Sequence, residues 1–191
     1  DFESEHSFDL SGSAQFVLDG TFTNNGLLDV EFGSALIASS IENEGGATIN
    51  GELTGSVGFF SDWKGSGKVN GELINGGAGS PGNSPGTFAV NGDYTQLGSG
   101  SVLIELASTS AFDLLSITGA AMLDGTLTIS LLDGFVPASA DTFIFLTADE
   151  ISGTFSNVPD GSRLFTSDGL GSFVVSYDPT AVSLSEYAPI P

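Results

Sequence analysis

A short phrase recurs along this chain and limits what the chain can become. Ile49-Asn50-Gly51-Glu52-Leu53 returns as Val69-Asn70-Gly71-Glu72-Leu73 and again as Val90-Asn91-Gly92-Asp93-Tyr94, with the glycines 20 and 21 residues apart. Leu18-Asp19-Gly20-Thr21-Phe22 and Leu123-Asp124-Gly125-Thr126-Leu127 are looser copies. Self-similarity at such an interval marks a structure built from stacked units. It predicts an all-β chain folded as a parallel β-solenoid (β-helix), each turn pairing through its backbone with the turn above. Gly51, Gly71 and Gly92 are then expected at corners of positive φ, which glycine adopts without strain. Asn50, Asn70 and Asn91 are expected to stack as a hydrogen-bonded ladder over one narrow core. Asn-Gly between apolar residues is also a strong hairpin signal, so an antiparallel β-sandwich is the alternative. The interval is about twice the usual spacing of sandwich strands, which favours the solenoid. Gly-rich links such as Gly45-Gly46 and Gly76-Gly77-Ala78-Gly79 also suit bends between faces.

The later part of the chain reads differently. Residues 101–106, 125–132, 142–146, 171–177 and 181–184 form longer apolar runs. They are expected as strands buried on both faces, or as broad last coils closing the solenoid. One elongated domain over residues 1–191 follows, with a sub-boundary near 76–87 between N-terminal coils (1–75) and the remainder (76–191).

That boundary segment carries a resemblance. Ser80-Pro81-Gly82-Asn83-Ser84-Pro85-Gly86 resembles a stretch of bacterial autotransporter-type passengers and of surface proteins bearing a PEP-CTERM sorting signal. Residues 101–106, Phe112-Asp113-Leu114-Leu115-Ser116-Ile117-Thr118-Gly119 and Leu123-Asp124-Gly125-Thr126-Leu127 are similar to the landmarks that follow in those proteins. Gly134-Phe135-Val136-Pro137 and Gly153-Thr154-Phe155 complete the order. The likeness spans roughly residues 76–185; residues 1–60 carry no such landmark. It implies a β-helical, exported bacterial protein with no catalytic residues to carry over. Neither a sorting helix with a basic tail nor a barrel follows Tyr187-Ala188-Pro189-Ile190-Pro191, a departure from that pattern.

Charge and composition narrow the chemistry. With 24 acidic and 3 basic residues the formal net charge is −21, and nucleic acid is not an expected partner because phosphate binding needs clustered Lys and Arg. No apolar run is long enough to span a membrane as a helix. Cysteine is absent, which excludes disulfides and thiolate chemistry. The chain opens on Asp1-Phe2-Glu3, which points to a leader removed or left out and so to export, at the bacterial surface or beyond it. His6 is the single histidine, and its terminal, acidic setting is a poor place to hold a catalytic base. Two-carboxylate chemistry has candidates in Asp29 with Glu31, Glu42 with Glu44, and Asp149 with Glu150; solvated faces of an acidic protein are the plainer reading. No cofactor is expected. Ca²⁺ bridging carboxylates between subunits is the one ion considered, without named ligands, since Asp160-Gly161 and Asp168-Gly169 read as turns.

Two segments are candidates for contact with partners. Phe59, Phe60 and Trp63 lie beside Lys64 and Lys68, two of the three basic residues, Arg163 being the third. They read as a loop packing on the core or a neighbouring subunit, or as a carbohydrate platform. At the start of the chain Phe2, Phe8 and Leu10 share one parity, the pattern of an assembly strand donated to a neighbour or of a first strand of the chain's own domain. The expected function is therefore a non-enzymatic extracellular structural subunit that joins with itself in a fibre or biofilm matrix, in contact with polysaccharide. A glycan-binding adhesin module is the alternative, and a carbohydrate-active enzyme the third class.

Overall fold

A computed structural model describes residues 1–190. The described chain is all β, without a helix. It runs as β1 (Phe2–Ser4), β2 (Phe8–Leu10), β3 (Gln15–Val17), β4 (Thr21–Asn24), β5 (Leu28–Val30), β6 (Ala35–Asn43), β7 (Ala47–Ile49) and β8 (Glu52–Phe59). Then follow β9 (Trp63–Gly65), β10 (Lys68–Asn70), β11 (Leu73–Asn75), β12 (Ala78–Pro81), β13 (Thr87–Val90), β14 (Tyr94–Gln96), β15 (Ser101–Leu106) and β16 (Leu114–Ile117). The last are β17 (Ala120–Leu123), β18 (Thr126–Leu131), β19 (Phe143–Thr147), β20 (Glu150–Gly153), β21 (Arg163–Phe165), β22 (Gly171–Asp178) and β23 (Ala181–Pro189).

The chain visits three parallel ladders in turn. The first is β1-β4-β6-β8-β11-β14-β17-β20. The second is a separate seven-stranded sheet, β2-β5-β7-β9-β12-β15-β18. The third is β3-β6-β8-β10-β13-β16-β19. Strands β6 and β8 bend from the third ladder into the first, which merges those two into one sixteen-stranded sheet. Antiparallel strand pairing is confined to β19, β23, β22 and β21, so the chain is not a set of hairpins facing each other.

Alternation within each strand builds the core. In β15 the burial pattern switches at every residue, with Val102, Ile104 and Leu106 inside. Parallel register then places like against like from strand to strand, as in Phe2, Phe22, Ile41, Val57, Leu73 and Tyr94 on the first ladder. The third ladder does the same with Phe16, Leu36, Leu53, Val69, Val90 and Ile117. Apart from the exposed Phe2, these side chains meet in one core, removed from water at about 25 cal/mol per Å² of apolar surface.

The repeat interval requires a correction. Equivalent positions on the first ladder are 16 residues apart from Ile41 to Val57 and from Val57 to Leu73, but 30 apart from Ala121 to Ile151. An interval of about 20 holds for some steps, such as Phe2 to Phe22 and Leu73 to Tyr94, and not for the others, because the corners absorb different lengths of chain. Gly71 and Gly92 do lie one above the other: a Cβ on Gly92 would run into the carbonyl oxygen of Gly71. A Cβ on Gly71 would strike that of Gly55, whereas Gly51 stands at another corner against Ser34 and Glu31. Only Gly71 of the three has a positive φ, +145°. Gly51 and Gly92 are needed for close approach of backbones, not for their dihedrals.

The Asn ladder divides in the same way. Asn91 Nδ2 donates to Asn70 Oδ1 at 2.8 Å, and Asn70 Nδ2 continues to Glu52 and Thr54. Asn50 is elsewhere, accepting from Asn83 Nδ2 and from the Ser66 amide. The ladders pass through residues 76–87 without a break, since β12 and β13 pair on both sides. The last strands form an antiparallel ribbon with a single buried face, Phe173 and Val175 pointing inward, rather than strands buried on both faces.

Candidate functional site

The two ends of the stack differ. At the first end β1, β2 and β3 each have a neighbour on one side only. Phe2 stacks on Phe22 at 5.4 Å, and Phe8 and Phe16 meet both rings edge-on. Phe22 is fully buried and Phe2 is 37% exposed, so an aromatic lid covers the core while the backbone edge stays open. Of the two readings of Phe2, Phe8 and Leu10, the first strand of the chain's own domain is the one seen: they pair with Phe22, Leu28 and Val30. Burial of three rings on Phe22 holds this segment in place.

The opposite end is partly covered, although β20 and β21 still end the large sheet. The antiparallel ribbon continues the third ladder past β19. Asn157 imitates a missing strand on β18: its Oδ1 accepts from Leu127 N at 3.0 Å and its Nδ2 donates to Leu127 O at 2.9 Å. Ser156 N and Ser167 N take the carbonyls of Gly125 and Ile129. Pro179 O accepts from Ile151 N of β20.

Inside the stack runs a column of buried amides that sequence reasoning missed. Asn24 Nδ2 donates to Asn43 Oδ1 at 2.7 Å, and each also reaches the carbonyl of the glycine two residues on, Gly26 and Gly45. Beyond Phe59 the column resumes: Asn75 Nδ2 donates to Gln96 Oε1 at 2.9 Å and to Ser101 O at 3.1 Å. Asn75 Oδ1 accepts from Trp63 Nε1 at 2.9 Å and from Gly77 N at 3.2 Å. The signal was present as Asn-x-Gly at Asn24, Asn43 and Asn75, with Gln96-x-Gly98 after them. The column is not fully satisfied, Asn24 Oδ1 and Gln96 Nε2 being buried without partners, but the bonds it makes fix the turns beside it.

Of the two readings of the aromatic segment, packing on the core holds for two rings and the carbohydrate platform is corrected. Phe59 and Trp63 are buried and stacked at 5.3 Å, with Phe88 against the indole, so neither offers a face to a sugar. Phe60 is 41% exposed. Alternation turns Lys64 outward between Thr48 and Ser80, beside an open groove of about 650 Å³ that Leu27, Asp62 and Leu103 also line. Lys68 lies 2.7 Å from Glu52 on the surface, and their hydrogen bond lowers the Glu52 pKa.

Carboxylates do not gather into a reaction centre. Asp29 faces outward directly above Asp9, and burial first, then the charges of Asp9 and Glu31, raise its pKa. Glu42, Glu44, Asp149 and Glu150 are exposed, as is His6. Among the described residues no three of His, Asp and Glu converge. Asp113 has a positioning role: Oδ1 accepts from Gly86 N at 2.8 Å and Oδ2 from Glu105 N at 2.9 Å, tying the 80–86 corner to β15. Burial pushes its pKa up to about 6 against those two hydrogen bonds. No helix among the described residues is long and apolar enough to cross a membrane. No family model matches the chain, and no curated protein matches it.

Proposed function

We propose that the chain is a β-solenoid serving as an extracellular structural subunit, one that joins copies of itself in a bacterial surface fibre or matrix. The observation that supports this most is the open end, where β1, β2 and β3 leave one side of their backbone unpaired over the Phe2, Phe8 and Phe16 rings. An unpaired edge is a template for another chain. The parallel ladders, the absence of converging carboxylates among the described residues and the surface-protein resemblance of residues 76–185 point the same way. A net charge of −21 keeps single copies apart until salt or cations screen it. Matrix polysaccharide is the expected surrounding material, while the glycan-platform alternative loses two of its rings to the core.

Electron microscopy with sedimentation velocity over a concentration series, with and without Ca²⁺, tests the reading. Ordered assemblies growing with concentration are expected. A chain that stays monomeric throughout, or that cleaves a polysaccharide, would overturn it.

A further inference from the structure

Six strands end a ladder: β1, β2 and β3 at the first end, β18, β20 and β21 at the other. The edge of β18 is covered by Asn157, Ser156 and Ser167. Of the rest, β1 carries Glu3, β2 carries Asp9, β20 carries Glu150 and β21 carries Arg163. Charges on an edge are the usual guard against unwanted pairing. Strand β3 has none. From Leu10 to Leu18 the chain reads Leu-Ser-Gly-Ser-Ala-Gln-Phe-Val-Leu, without charge or proline, in a protein of net charge −21. Val17 is 64% exposed on this edge.

The hydrogen-bonding side is also defined. Ala14 O accepts from Ala35 N, and Leu18 N donates to Ile37 O, so β3 turns Ala14, Phe16 and Leu18 toward β6. By alternation the N–H and C=O of Gln15 and Val17 point to the open side. We infer that this edge is a docking site for the same edge of a second copy, the two β3 strands pairing antiparallel about a two-fold axis at Phe16. Gln15 of each copy then faces Val17 of the other, exchanging both backbone hydrogen bonds. Phe16 meets Phe16, extending the aromatic lid across the junction. Asp19 falls opposite Ser13, so no carboxylate in the strand faces another. The same arrangement on β1 would set Glu3 against Glu3, and on β2 Asp9 against Asp9, which disfavours both.

The contact is isologous and closes on itself, so it makes pairs; any longer assembly must use another surface as well. The inference rests on the self-association part of the reading above, and a cysteine-free chain makes it directly testable. Gln15→Cys and Val17→Cys molecules are mixed and oxidised at about 0.15 M ionic strength, with Phe165→Cys (63% exposed, on β21) as a probe of the far end. The expected product is the Gln15→Cys/Val17→Cys disulfide, in excess over either like pair. Val17→Lys, with circular dichroism unchanged, is expected to weaken the dimer at least tenfold in sedimentation equilibrium. Cross-linking of Val17→Cys to Phe165→Cys instead would overturn the two-fold pairing and leave head-to-tail self-association standing. Absence of the disulfide from the mixed variants, while the wild type still assembles in micrographs, would sink this inference alone. The disulfide in a protein that forms nothing larger would keep the pairing and remove the fibre.

Discussion

Replacing Asn75 by leucine tests whether the inner amides hold neighbouring strands together. Leucine has nearly the same size, so packing is largely kept while the polar connections go. Trp63 Nε1 loses its partner; Gly77 N retains Phe59 O, and Gln96 Oε1 retains the Tyr94 hydroxyl. One indole donor is therefore stranded in a dry site, at about 1–3 kcal/mol. The lost bonds to Gln96 and Ser101 add about 1 kcal/mol each. A total of about 3–5 kcal/mol is expected, a large part of the stability of an ordinary domain. A second substitution separates orphaning from packing. Trp63→Phe in the wild type costs the indole bond and some ring volume, but in the Asn75→Leu background it also removes the stranded donor. The double variant should then be more stable than the sum of the singles by roughly 1–2 kcal/mol. Urea unfolding followed by far-ultraviolet circular dichroism reads all four proteins, since Trp63 is the sole tryptophan and its fluorescence disappears with it. Additivity of the two changes would refute the account, because it would mean that the indole N–H never depended on Asn75.

Other expectations follow from single contacts. Asn24 Oδ1 is buried without a donor, and Ser4 lies in register beside it on β1, so Ser4→Asn should prolong the amide column and add about 1 kcal/mol in the same unfolding assay. Asp113, with its folded pKa raised to about 6 against an ordinary 3.8, stays protonated longer in the folded state than in the unfolded one. Stability therefore falls as pH rises between those two values and levels off above the upper one. The wild type should lose roughly 2 kcal/mol relative to Asp113→Asn from pH 4 to pH 7, and a pH-independent difference would contradict the assignment. Gly92→Ala should be far more damaging than Gly134→Ala, because the first drives a Cβ into the Gly71 carbonyl while the second meets no atom within 4 Å and bears only a φ of +72°. Thermal melting of the two variants should place the second within about 1–2 kcal/mol of wild type.

What the sequence made legible was what depends on nearest neighbours in the chain. The apolar runs at 101–106 and 125–132 were legible as strands, and both are strands paired in parallel, although each turns only one face inside rather than burying both. Stacking order was less legible because it depends on residues far apart and on how much chain each corner absorbs. Asn50-Gly51 and Asn70-Gly71 look alike, yet one closes β7 and the other β10, two different corners. Asn-Gly serves any tight bend, so its recurrence reports bends rather than equivalent bends. Trp63 left two readings open for a related reason: Lys64 and Lys68 suggested an exposed platform beside the core-packing reading, and strand alternation sends Trp63 inward and Lys64 outward. The amide column was hidden because Phe59 interrupts it, and an Asn two residues before a glycine reads equally well as a loop.

Unequal lengths of chain between strands paired in register have a consequence for how such a chain can change. Residues 107–113 and 132–142 leave the ladders and return without altering the register of β15 on β18 or β16 on β19. New material can be added sideways at these excursions, as decoration, while the ladders stay in register. The glycines stacked on Gly55, Gly71 and Gly92 impose the opposite rule along the axis, where even one extra methyl has no room. Diversification is thereby steered outward to the bends, and the interior is left to keep the strands in line.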